Sequence, residues 1–144
     1  MGKIGVLFSG QGAQTPGMMQ DLYECMDASR KVFETADRTI GRPVSGLAFR
    51  GTQEELNLTH NTQPCVLAAD LAAYMALADR GIHPDAVAGF SLGEYAALIA
   101  AGSLTTEQAF FVIQKRADYM QEAVPEGKGA MAAVGARTEE EVWG

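Results

Sequence analysis

The chain has 144 residues, of which 47% are hydrophobic and 20% charged, and a formal net charge of −7. That is the composition of an ordinary soluble globular domain, and its acidic balance, with a pI near 4.7, argues against nucleic acid as a main partner. The two cysteines, Cys25 and Cys65, make neither a disulfide framework nor a metal set, so a reducing cytoplasm is the simplest compartment. There is no long apolar run and no leader pattern, which leaves no membrane span or signal peptide to argue from.

Residues 3–9 form a short apolar run that reads as a buried parallel strand. It ends in Gly10-Gln11-Gly12-Ala13-Gln14, where Thr15 stands in place of the glycine that a dinucleotide loop needs. No G-K-S/T follows, which argues against a phosphate cradle, and a loop lending a backbone N–H to an oxyanion hole fits better. Gln20 to about Ala36 reads as one amphipathic helix, with Leu22, Met26 and Phe33 near one face. Gly41-Arg42-Pro43 closes it. Thr52-Gln-Glu-Glu55 has capping-box form and opens a short helix ending near Leu58. Thr59 to Pro64 reads as a polar turn, with Pro64 at the first position of a helix from Cys65 to about Asp79. That helix is apolar nearly all round, so it should be buried, and Cys65 should be a buried thiol.

After a turn at Gly81, Pro84 and Asp85 comes a short strand at about 86–90, then Gly89-Phe90-Ser91-Leu92-Gly93. This G-x-S-x-G run sits between a strand and a helix of small residues, Tyr95 to Gly102. In that context it reads as a nucleophile elbow with Ser91 at its tip. The backbone N–H of Leu92 and the positive helix end would both favour negative charge developing beside Ser91. The bland alternative is a loop serine between glycines. Thr105-Thr-Glu-Gln108 is a second capping box and opens a helix to about Glu122. There Val112, Ile113, Arg116 and Met120 share a face while Lys115 looks away. An arginine among apolar neighbours needs an anionic partner. It either reaches the rim of the core, pairs with an internal acid, or binds a substrate carboxylate in the two-pronged fashion open to arginine. Pro125 to Gly129 reads as a linker, Ala130 to Val134 as a strand, and Thr138-Glu-Glu-Glu141 as the cap of a further helix.

Four motifs resemble the malonyl-CoA:acyl-carrier-protein transacylases. They are residues 8–14, Asn61-Thr-Gln-Pro64, Gly89 to Leu104, and Arg116 through to Val134, in the order found in that family. The resemblance implies an α/β fold: a three-layer core with a parallel sheet, of the acyltransferase/lysophospholipase type. Residues 1–124 would be the N-terminal part of that core, and 125–144 the linker and start of an inserted, incomplete ferredoxin-like subdomain. It further implies Ser91 as the nucleophile, the backbone N–H groups of Gln11 and Leu92 as the oxyanion hole, Arg116 as partner of the malonyl carboxylate, and Gln63 lining the site. Glu94, in the first turn of its helix, is structural. Two departures stand out. Phe90 replaces the histidine common before the nucleophile, which bears on acyl selectivity. The family's catalytic histidine lies beyond residue 144, and His60 and His83, both placed in turns, do not match it.

The reaction implied is ping-pong transfer of malonyl from malonyl-CoA to the phosphopantetheine thiol of acyl carrier protein, in fatty acid biosynthesis. The CoA thioester is a substrate, and a serine ester needs neither metal nor bound cofactor. The partners are then malonyl-CoA and acyl carrier protein, without nucleic acid or membrane. The alternatives are a serine hydrolase or thioesterase, a polyketide-synthase-type acyltransferase, and a non-catalytic fragment. Met1 directly before the first strand favours a free-standing enzyme over a synthase domain. Two core strands against several helices also leave sheet edges open, which predicts weak stability, self-association, or docking of a histidine-bearing remainder.

Overall fold

The computed structural model describes residues 2–124 and 127–129. Strand β1 (Gly5–Phe8) is followed by helices α1 (Gln20–Cys25), α2 (Asp27–Ile40), α3 (Val44–Arg50), α4 (Gln53–Asn57) and α5 (Thr59–Ala78). Strand β2 (Ala86–Gly89) then leads into α6 (Gly93–Ala100) and α7 (Thr106–Ala123). The architecture is mixed α/β and mostly helical. β1 and β2 pair in parallel, in a register running from Gly5 with Ala86 to Phe8 with Gly89.

The other helices gather on α5 because it is apolar on most sides: residues 61–69, Leu71 and Ala72 are all buried. α2 brings Val32, Phe33 and Ala36 to it, and α7 brings Phe110, Ile113 and Ala117. Each fully buried Phe or Leu contributes about 1.5–3 kcal/mol over its exposed state. Phe33 also packs tilted on Phe49, with ring centroids 4.8 Å apart. Both expected capping boxes form, at Thr52 with Glu55 and at Thr105 with Gln108. Cys65 is buried as expected, and burial pushes its thiol up to about 12.

The structure departs from the sequence pattern in four places. The single helix over 20–36 is two helices, because Met26 adopts an extended backbone (φ −131°) while its side chain is buried. α3 has no counterpart in the sequence reading. The polar turn before Pro64 is instead the first part of α5, and Pro64 lies inside the helix. A proline there withholds the N–H that would bond the carbonyl four residues back, which is His60. That carbonyl accepts from side chains instead, Arg42 Nη2 and Gln114 Nε2, so the helix continues through the proline. His60 therefore sits on a helix, whereas His83 is in an exposed loop. Finally, β1 is parallel but not buried. Leu7 is 83% exposed and Phe8 5%, because among the described residues the sheet has only two strands. The expected strand at 130–134 and the helix cap at 138–141 lie outside the described residues.

Candidate active site

The sharp connection from β2 to α6 holds Ser91 in the left-handed region, with φ 55°. For a non-glycine residue that conformation costs about 1–3 kcal/mol, supplied by the surrounding packing. The glycines on either side have steric reasons. A Cβ on Gly89 would fall on the backbone of Gly93, and one on Gly93 would fall on the carbonyls of Phe8 and Ser9. The end of β1, the end of β2 and the first turn of α6 are thus interlocked at van der Waals distance. The turn is closed by the N–H groups of Gly93 and Glu94, which donate to the carbonyls of Phe90 (2.9 Å) and Ser91 (3.2 Å). Ser91 is exposed at the tip.

Arg116 reaches this tip from α7. Its Nη2 donates to Ser91 Oγ at 3.1 Å and its Nη1 to Gln63 Oε1 at 2.6 Å. Gln63 is fully buried, and its Nε2 lies 3.2 Å from Met120 Sδ. Of the readings open for Arg116, an internal acid partner is not found among the described residues: neither ion pair there involves it. Of its helical neighbours, Ile113 is buried and Met120 half-buried, but Val112 is exposed rather than on a covered face. Lys115 is exposed, as expected. Neither histidine hydrogen-bonds Ser91 among the described residues.

The loop after β1 passes beside the elbow. Among the described residues the backbone N–H groups of Gln11 and Leu92 donate to no protein acceptor. Gln11 extends its side chain to Thr59 Oγ1, 3.4 Å away at the start of α5. Phe90 is 64% exposed, and its ring lies so close over Gly10 that a Cβ there would overlap it. Two residues near the loop escaped the sequence reading. Ser9 Oγ donates to Asp70 Oδ1 at 2.8 Å, while Asp70 Oδ2 is buried without a partner among the described residues. Burial pushes the Asp70 carboxyl up to about 6. An acid in the otherwise apolar run of α5 was the available signal.

A serine held in a strained turn at a helix N-terminus, with a guanidinium against it, defines a candidate acyl-transfer site. The chain belongs to the acyl transferase family: residues 6–143 match the acyl transferase domain. More narrowly, it is a homologue of the malonyl CoA-acyl carrier protein transacylases. It is 48% identical over 134 residues to the transacylase of Bacillus subtilis (strain 168), covering 93% of this chain and 42% of the relative. Its structure is similar to that of the transacylase from Clostridium perfringens, with a TM-score of 0.87 and 38% identity, over 98% of this chain and 45% of the other. It is also similar to a malonyl-transacylase solved in complex with a type II PKS acyl-carrier protein, with a TM-score of 0.81 and 39% identity over 88% and 41% of the two chains. The chain thus spans less than half the length of these relatives. No helix among the described residues is long and apolar enough to cross a membrane.

Proposed function

We propose that this chain carries the acyl-accepting serine and the carboxylate-binding arginine of a malonyl transacylase acting in fatty acid biosynthesis. In this reading the Ser91 hydroxyl attacks the thioester carbonyl of malonyl-CoA. A C–O bond forms, the C–S bond breaks, and CoA leaves as its thiol with the serine proton. In the second half-reaction the phosphopantetheine thiol of acyl carrier protein takes the malonyl group and the serine hydroxyl is restored. The backbone N–H groups of Gln11 and Leu92 are placed by this reading around the oxyanion of each tetrahedral intermediate. The general base comes from the portion of the family domain that this chain does not span. The same reading makes the two strands part of a larger parallel sheet in a three-layer core, and makes residues 125–144 the beginning of an inserted ferredoxin-like subdomain.

The observation that carries the proposal is the position of Arg116. It is a half-buried guanidinium 3.1 Å from Ser91 Oγ, with only neutral acceptors among the described residues. In a malonyl ester the free carboxylate is only two carbons from the ester carbonyl, so its partner must stand beside the nucleophile. Arginine meets a carboxylate with two parallel N–H donors. A simple lipase or esterase has no use for such a group, which is why the hydrolase reading is not favoured. The complex of a related transacylase with an acyl-carrier protein supports that carrier as the acceptor here.

The test is the intact mass of the chain after mixing with malonyl-CoA, with the remainder of the family domain supplied in trans to provide the general base. The expected product has one malonyl group added at Ser91, absent from Ser91→Ala. An adduct that survives in the alanine variant would overturn Ser91 as the acceptor.

A further inference from the structure

Arg42 lies in the short link between α2 and α3, outside every motif of the candidate site. It is half-buried, and among the described residues it pairs with no carboxylate. Its three acceptors are all neutral. Nη1 donates to Asn61 Oδ1, and Nη2 donates to the His60 carbonyl and, at 2.9 Å, to Gln114 Oε1. Two of these groups are on the first turn of α5 and the third is on α7.

The reason for this arrangement is the proline four residues after His60. Pro64 has no N–H, so the His60 carbonyl in the first turn of α5 lacks its normal donor, and a carbonyl left unpaired away from water is costly. Arginine is suited to the repair because one planar group carries several donors at fixed angles. Gln114 adds a second, longer contact to the same carbonyl at 3.5 Å and is itself anchored to Asp118 at 2.7 Å. Arg42 therefore ties the start of α5 to α7 across a break in the helical ladder. To either side the two helices pair directly, Thr59 N–H donating to Gln121 Oε1 at 3.1 Å and Arg116 donating to Gln63. Gln63 directly precedes the proline, and Arg116 is two residues beyond Gln114.

We propose that Arg42 is a positioning residue for the carboxylate subsite. By supplying the donors that Pro64 withholds from His60, it fixes the register of α5 against α7 and so holds Gln63 where it aims Arg116 at Ser91. Its functional consequence rests on the reading of Arg116 as the malonyl-carboxylate partner; its structural consequence does not.

The test compares the full chain with Arg42→Met, Arg42→Lys and, as a surface control, Arg50→Met. The first readout is the NMR signal set of the Arg116 guanidinium. In the wild type and in Arg50→Met it should show separate, slowly exchanging Nη protons. In Arg42→Met these should collapse to an averaged signal while the far-UV circular dichroism stays helical, and Arg42→Lys should be intermediate. The second readout is the ratio of malonyl to acetyl loading on Ser91 from the two thioesters. It should fall about tenfold in Arg42→Met, the scale of one coupling within a hydrogen-bonded network. Pro64→Ala restores the missing donor, so Arg42→Met should have a smaller effect in that background. If Arg42→Met does not fold, Gln114→Met applies the same test from α7. Unchanged Arg116 signals in the folded variants overturn the proposal. A wild type that loads malonyl and acetyl equally overturns the role given to Arg116, while the guanidinium signals still decide the role of Arg42.

Discussion

Ser9 and Asp70, far apart in the chain, are joined by a hydrogen bond of 2.8 Å from hydroxyl to carboxylate. This bond fixes the end of β1 to α5 just before the loop that carries Gln11, and the Ser9 carbonyl is one of the two against which Gly93 packs. Among the described residues the carboxylate has a second oxygen buried without a partner, so the folded state favours the protonated form more than the unfolded state does.

That preference has a sign. The carboxyl rises from 3.8 to about 6 on folding, through burial. The folded state then holds this proton more tightly than the unfolded state. The group's contribution to stability is complete below about pH 4 and is lost as the pH rises through about 6. Asp70→Asn keeps an acceptor for Ser9 and removes the titration. Thermal unfolding of both proteins between about pH 4.5 and 7.5 should therefore show the variant gaining on the wild type as the pH rises. Parallel curves would mean that Asp70 is better solvated than its burial indicates.

Gly93 offers a test in which two effects have opposite signs. Gly93 is a helical residue without a positive φ, so alanine there should stabilise the helix by about 0.5–1 kcal/mol. The added methyl group would collide with the carbonyls of Phe8 and Ser9, and such overpacking costs about 1–3 kcal/mol. Gly93→Ala should be net destabilising in denaturant unfolding and should lose acylation of Ser91. A stabilised variant would mean that α6 and β1 are not in close contact.

The open sheet gives a third expectation. Leu7 on β1 is 83% exposed and Ile4, just before it, 44%, and unpaired, apolar strand surface invites pairing with another chain. The wild type should self-associate with rising concentration in sedimentation velocity, and Leu7→Lys should reduce this without lowering the unfolding temperature. An undiminished association would place the contact elsewhere on the molecule.

Much of the site was legible because its constraints are local. The elbow is written in Gly89, Ser91 and Gly93 between two elements, and the capping boxes at Thr52 and Thr105 are complete within four residues. Arg116 was placed among apolar neighbours by helical spacing, although Val112 on the same stretch proved exposed. What could not be read was set by contacts between distant residues. Pro64 resembled a helix start because its exclusion from helix interiors is normally decisive; the donors that keep α5 helical there come from Arg42 and Gln114. The break at Met26 is likewise fixed by burial of its side chain in the core and has no proline or glycine to announce it. The partnership of Gln63 with Arg116 spans 53 positions and follows only once α5 and α7 are packed together.

Arg116 as the receptor for a carboxylate is the central claim about this site. The most direct measurement compares loading of Ser91 from malonyl and acetyl thioesters with and without Arg116→Ala, in a chain made competent for transfer by the remainder of the family domain. Removing one partner of a desolvated ion pair costs about 3–5 kcal/mol, so malonyl loading should fall by roughly a hundredfold or more. Acetyl loading, which never had that contact, should change far less. An equal loss for both acyl groups would contradict the account and leave Arg116 as a structural neighbour of the nucleophile.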